Sequence, residues 1–433
     1  MMQSRVPSTQ KRQKKHSKLL SLHEHLQKTY SAEMKGIPAF PAKTWTAPSD
    51  AVWKERCSTL NAYFHAVLSK PRLAGDAKLK ETFARTADAQ DWAPVDVPNV
   101  ATEEDERERF RFVDLDGGMR IGYIDKGDPS HPLVLFVHGF PDTLWTWESA
   151  MTRIAEQGYY CVSMAQRGYY PSSLVPIKPD EADWQRFGKQ VLGRDVLGVV
   201  RGLEKKQAVL VGHDFGAVAV WAAAIMDQQE GSQLVSKVVG EALPPPKAIA
   251  VKPGLVFKAR HMVYYNTPVI DTVKGTKENN FVYLESLLDR WSPTWRRSNR
   301  TLLTVKRHFS MEGRTENAIA YYRALVPPKE AREMLEPLNT VDIKCPVLFI
   351  CGEEESGGGM VEMFKQTAAQ CAGFCEVVVV REAGHFVHLE KPNGWMHKLI
   401  PFLKMGPVPD GKQVKIKYVQ ETAASGTAPN TKA

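Results

Sequence analysis

The sequence has no pair of cysteines at C-x-x-C spacing, although cysteine occurs at Cys57, Cys161, Cys345, Cys351, Cys371 and Cys375. A redox C-x-x-C motif and a zinc site built on such pairs are therefore excluded. The apolar, strand-like surroundings of Cys161, Cys345 and Cys351 point to reduced core thiols rather than a disulfide frame. No stretch approaches the roughly 18 apolar residues that span a bilayer, so no transmembrane segment is expected. The start lacks the apolar run of a secretory signal. Acidic residues are missing between Met1 and His23, where Arg5, Lys11, Arg12, Lys14, Lys15 and Lys18 carry only positive charge. Without interleaved aromatics or a known motif, these residues do not read as a nucleic-acid site. They read as a solvated basic arm of a cytoplasmic protein, with a mitochondrial or nuclear address through the same residues as the alternative.

What is present suits a large enzyme-sized core. The chain has 433 residues, 43% hydrophobic and 24% charged, with net charge +8, which is ordinary globular composition. Residues 1–105 read as an N-terminal extension: the basic arm, helical stretches around Leu19–Tyr30 and Ala51–Ser69, and proline-bearing linkers. From Arg109 the texture changes. Arg109–Asp114 and Met119–Ile124 form a hairpin pattern around Asp116-Gly117-Gly118. Short apolar runs then follow at Pro132–Val137, Tyr160–Met164, Ala208–Gly212, Val238–Ala242, Pro346–Cys351 and Glu376–Val380. Apolar runs alternating with helices predict a mostly parallel sheet with helices on both faces. The helical stretch 244–337 interrupts this series and reads as a cap inserted between core segments 106–243 and 338–405. The polar stretch 406–433 is expected to be a disordered tail.

Three candidate sites fall at C-terminal strand ends, where open α/β sheets place their ligand crevice. Gly212-His213-Asp214-Phe215-Gly216 follows a strand and opens a helix. That is the context of a nucleophile elbow, with aspartate where serine is usual. Read alone, Asp214 is a helix N-cap. His138-Gly139-Phe140-Pro141 follows an earlier strand, and the backbone amides of Phe140 and Phe215 are the candidate oxyanion donors. Gly384-His385 follows the last apolar run, making His385 the candidate base, with His388 its competitor. The acid should lie among Glu353, Glu354 and Glu355, of which Glu355 is preferred and Glu354 is second. No metal or cofactor is implied.

These motifs, with Arg167-Gly168-Tyr169 and Glu390-Lys391-Pro392, resemble the epoxide hydrolases of the α/β-hydrolase superfamily over residues 108 to 405. The resemblance implies a cap with two tyrosines aimed at the nucleophile. Ala318–Arg323 is similar to one cap motif and gives Tyr322; His261–Asn266 is similar to the other and gives Tyr264, with Tyr265 next. The implied reaction takes a small hydrophobic epoxide and water to a diol through an ester on Asp214. The chain departs from the family in having Phe215 for tryptophan, glutamates for the aspartate acid, and no Pro-Asp pair within Ser163–Arg167. Haloalkane and haloacid dehalogenases share the aspartate, but the first use side-chain halide donors, which Phe140 and Phe215 lack, and the fluoroacetate enzymes among the second carry arginines after the nucleophile, of which Val218–Ala224 has none. A non-catalytic scaffold on the same fold is the reading from another class.

Overall fold

A computed structural model describes residues 21–37, 39, 103–177, 181–248, 260–267, 271–297, 299–325, 333, 336–358, 360–406 and 411–420. The chain divides into two compact units, Met1–Ala101 and Thr102–Ala433. In the first, residues 21–29 are helical, with Leu22 and Leu26 buried at i, i+4 spacing. The expected helix at Ala51–Ser69 lies outside the described residues.

The second unit is built on one nine-stranded sheet in the order β1-β2-β4-β3-β5-β6-β7-β8-β9. Strands β1 (Arg111–Asp114) and β2 (Arg120–Lys126) pair antiparallel, turning at Gly117 with φ 78°. Beyond the antiparallel β2/β4 contact, every later pairing is parallel. Strands β3 (Leu133–Val137), β4 (Tyr160–Met164), β5 (Ala208–His213) and β7 (Val347–Gly352) are buried at every residue. That is why they read as continuous apolar runs rather than alternating ones. Strands β6 (Val235–Glu241) and β8 (Phe374–Val380) complete the parallel core. Helices α1 (Glu148–Ala155), α2 (Lys189–Gly202) and α3 (Phe215–Glu230) connect successive strands. The alanines of α3 let it lie close to the sheet, where Trp221 covers Gly240 so tightly that a Cβ there would sit 2.0 Å from the ring.

Between β6 and β7 the described residues include the helices α4 (Arg260–Tyr265), α5 (Thr272–Trp291), α6 (Asn299–Ser310) and α7 (Arg314–Ala324). Helix α5 breaks at Glu278–Phe281, where Asn279 and Asn280 take positive φ of 50° and 56°, a conformation asparagine tolerates better than most residues. Helix α7 is tied to the turn after β4. Tyr321 donates to Arg167 O at 2.7 Å, and Arg314 donates to Gly168 O and Ser172 O at 3.0 and 2.8 Å. Helix α8 (Pro392–Lys404) closes the fold.

The tail expectation needs correction. Gln413–Val419 is strand β9, parallel to β8 along its whole length. Low overall hydropathy hid a period-two pattern in which Val414, Ile416 and Tyr418 alternate with Lys415 and Lys417. The backbone groups of β8 supply the template, and the Lys417–Glu376 ion pair at 2.9 Å bridges the two strands. The rest of the stretch, 421–433, lies outside the described residues.

Candidate active site

Strand β5 ends in a strained turn. Asp214 has φ 52° and ψ −118°, an arrangement that costs about 1–3 kcal/mol and persists only when its surroundings over-determine it. Here they do. The Asp214 amide donates to Glu241 O at 3.1 Å, the Val218 amide returns to Asp214 O at 3.2 Å, and the Phe140 amide donates to Asp214 Oδ1 at 2.9 Å. The crowding explains the glycines: a Cβ on Gly139 would lie 2.3 Å from Asp214 Cβ, one on Gly212 would lie 2.2 Å from Gly216 O, and one on Gly216 would lie 2.0 Å from Val137 O. Phe215 is the first residue of α3, so its N–H belongs to the helix end that has no intrahelical acceptor. Pro141 follows through a cis peptide bond. His138 is a brace. Its Nδ1–H donates to Gly139 O at 3.0 Å while Nε2 accepts from the Gln166 amide at 3.2 Å. Burial pulls its pKa down to about 4 and keeps it neutral.

Strands β7 and β8 bring up the other two groups. His385 Nδ1 lies 3.0 Å from both oxygens of Glu355, and its Nε2 lies 3.5 Å from Asp214 Oδ2. All three side chains are buried. Burial opposes a charge on the imidazole, but the Glu355 and Asp214 carboxylates outweigh it and raise His385 to about 10. Glu353 and Glu354 stay half-buried in the same loop. The His385 backbone is pinned as well: its amide donates to Ser292 Oγ at 2.9 Å, and Glu390 accepts from the Gly384 and Phe386 amides at 2.9 and 3.0 Å. His388 is engaged elsewhere. Its Nδ1 pairs with Glu241 at 2.8 Å and its Nε2 with Thr146 Oγ1 at 2.8 Å.

Helices α4 and α7 border the same cavity as this group. Tyr322 is 3% exposed, and its hydroxyl has no hydrogen-bond partner although it is buried. Its ring packs edge-on against Phe140 and Phe215 at 5.1 and 4.9 Å, directly above the Asp214 turn. An unpartnered buried hydroxyl costs about 1–3 kcal/mol, and it borders a cavity of about 290 Å³ that also touches Asp214, Glu355 and His385. Tyr264 departs from expectation. It does not border the cavity; its hydroxyl abuts Gly275 and its ring packs on Tyr283 at 4.8 Å. The cause is helix rotation. On α4 the buried face runs through His261 and Tyr265, four residues apart, so His261 borders the cavity. Tyr265 packs on Tyr322 at 4.8 Å and Phe140 at 5.7 Å, while Tyr264 is turned aside.

With this geometry, comparison with known proteins is decisive about the family. The model of the "Alpha/beta hydrolase family" matches residues 134–398, more than half of the chain. The chain belongs to that family. A "PX domain" model matches residues 3–85 of the hydrolase. Among relatives, "Epoxide hydrolase A" of Mycobacterium tuberculosis is 31% identical over 166 residues, covering 37% of this chain and 48% of that one. "Epoxide hydrolase 3" of Xenopus tropicalis is 24% identical over 302 residues, covering 67% and 76%. The crystal structure of "Epoxide Hydrolase A from Mycobacterium thermoresistibile" superposes with TM-score 0.55 at 21% identity, covering 69% of this chain and 99% of that one. At that identity the likeness shows the shared fold.

Sequence reasoning missed several groups in and behind the hydrolase's cavity. Glu241 ends β6 and is fully buried; a charged residue closing an apolar strand was the available signal. Glu241 lies behind the cavity, on His388, whereas Lys189 and His261 border it, and nothing local to their sequence marks them. Among the described residues no helix is long and apolar enough to cross a membrane.

Proposed function

We propose that this α/β hydrolase opens epoxides to vicinal diols through an alkyl ester on Asp214. The observation that carries the reading is the division of labour at one carboxylate. Asp214 Oδ1 accepts from the Phe140 amide, while Oδ2 faces His385 Nε2, with the unpartnered Tyr322 hydroxyl in the same cavity wall. Oδ2 attacks one epoxide carbon, and the carbon–oxygen bond to the ring oxygen breaks. Tyr322 hydrogen-bonds that oxygen and passes it a proton, which the imidazolium of His385 replaces.

Esterification removes the Asp214 charge, one of the two that held His385 protonated. The neutral imidazole can then take a proton from water, with Glu355 stabilising the cation that re-forms. The hydroxide attacks the Asp214 carbonyl carbon rather than the substrate. The oxyanion develops on Oδ1, where Phe140 and Phe215 offer N–H groups. Collapse releases the diol and restores the carboxylate. An aspartate is required because a serine would form an ether that this machinery does not cleave.

Single turnover of aryl and alkyl epoxides in heavy-oxygen water, with enzyme in excess, tests the proposal. The label should appear in Asp214 as diol forms. Release of halide from haloalkanes with no epoxide opened would replace this reading with a dehalogenase.

A further inference from the structure

Asp214 and His385 have to stand at a fixed separation, because water enters between the imidazole and the ester carbonyl. Their own contact does not set that separation. His385 Nε2 lies 3.5 Å from Asp214 Oδ2, beyond the range of about 2.7–3.2 Å of a firm N–H···O bond. The gap is therefore set by whatever ties the two backbones together. The His385 amide is held by Ser292 Oγ and Trp291 O, at the end of α5. The Asp214 amide is held by Glu241 O, on β6. Neither anchor joins nucleophile to base.

His213 does join them. It ends β5, next to Asp214 in the chain, and its Nε2–H donates to His385 O at 3.0 Å. A carbonyl only accepts, so Nε2 carries the proton. The ring is fully buried beneath the base loop, with centroid distances of 4.7, 4.8 and 5.1 Å to His385, Phe386 and His388. Burial first, then the charges of His385 and His388, push its pKa well below the usual value. The imidazole of His213 therefore stays neutral while that of His385 gains and loses its proton.

We propose that His213 is a positioning residue whose Nε2–H sets the gap between nucleophile and base, and that ester hydrolysis depends on it. This rests on the reading of Asp214 as the nucleophile and adds the strut that keeps His385 at working distance from it. The strut acts through the His385 backbone, so it touches neither substrate nor water. Its loss moves His385 relative to Asp214 without removing a reacting group.

The test compares His213→Gln and His213→Phe in the full-length enzyme. Glutamine carries an N–H donor near the position of Nε2, whereas phenylalanine keeps the volume of the ring and has no donor. Single turnover of a styrene-type epoxide, with enzyme in excess, follows hydrolysis of the ester on Asp214. His213→Phe should slow that step about 10²-fold, the cost of a misplacement of about 1 Å, while His213→Gln should stay within about tenfold of wild type. Nuclear magnetic resonance of the His385 imidazole gives a readout that needs no substrate. His385, raised to about 10 in the wild type, should titrate lower by about one pH unit in His213→Phe, because the Asp214 carboxylate stands further off. In His213→Gln it should titrate as in wild type. His213→Asn, whose amide ends one carbon short of the carbonyl, should match His213→Phe and replaces it if that variant does not fold. The titration difference, with no epoxide opened by the wild type, would uphold the strut and sink the epoxide reading. Epoxide opening by the wild type, with His213→Phe and His213→Gln alike in hydrolysis and in titration, would leave the epoxide reading standing. It would reduce His213 to a filler of space and overturn the proposal.

Discussion

Replacing Glu355 by glutamine should stall the enzyme at its ester. The Glu355 and Asp214 carboxylates together move His385 from 6.5 to about 10 against the effect of burial. That displacement corresponds to about 5 kcal/mol in favour of the imidazolium. Once Asp214 is esterified, only Glu355 remains to stabilise the cation that water activation creates. Glutamine keeps the size and an acceptor oxygen but removes the charge. Neutralising the orienting acid of a Ser-His-Asp set costs about 10⁴ in rate. A loss of about 3–5 kcal/mol, or roughly 10²- to 10⁴-fold, is therefore expected in ester hydrolysis. Ester formation, which uses Asp214 and Tyr322, should slow far less. The assay is rapid quench with enzyme in excess, followed by mass spectrometry of the peptide containing Asp214. That peptide should gain the full mass of the epoxide and hold it. Glu354→Gln, in the same loop but without contact to His385, should hydrolyse the ester within about twofold of wild type. Hydrolysis within tenfold of wild type by Glu355→Gln, or a fall in turnover with no ester accumulating, would refute the role given to this glutamate.

Three further outcomes follow from the geometry. Tyr322→Phe should slow ester formation by about 10²- to 10⁴-fold, the scale of general acid assistance, while Tyr264→Phe should change it less than threefold; stopped-flow comparison of the two decides, and the reverse order would show that Tyr264 holds the epoxide oxygen. Acid should destabilise the fold between pH 6.5 and about 4: buried His138 is held near 4 while the unfolded histidine titrates near 6.5, so the unfolded state binds more protons in that window. The expected loss is about 3 kcal/mol from His138, with His213 and His308 shifted the same way; urea denaturation across this range should show it, and a flat profile would not fit. His385, raised in the folded state, contributes the opposite way: its stabilisation is full below 6.5 and is lost as pH rises through about 10. Gly139→Ala should abolish turnover while leaving a folded protein by circular dichroism, because the new Cβ would displace Asp214 from the Phe140 amide; near-normal activity would show that the turn has slack it does not display.

The sequence by itself determined the sheet and the ordering of the reacting groups along it. Fully buried strands such as Leu133–Val137 must be apolar throughout, and the glycines at 139, 212 and 216 answer backbone contacts made within a few residues of each motif. Such features are local, so a local pattern reveals them. The tertiary structure decided what depends on rotation and distance. Three consecutive glutamates look alike until the loop after β7 turns Glu355 alone onto His385. Two adjacent tyrosines on α4 look alike until packing rotates Tyr265 inward and Tyr264 against Gly275. His388 rivals His385 in sequence and is separated from it only by Glu241, which arrives on another strand. Lys189 and His261 meet in one cavity wall although they lie 72 residues apart in the chain. Contacts between residues far apart in the chain carry no signature in either neighbourhood, and only the packed fold supplies them.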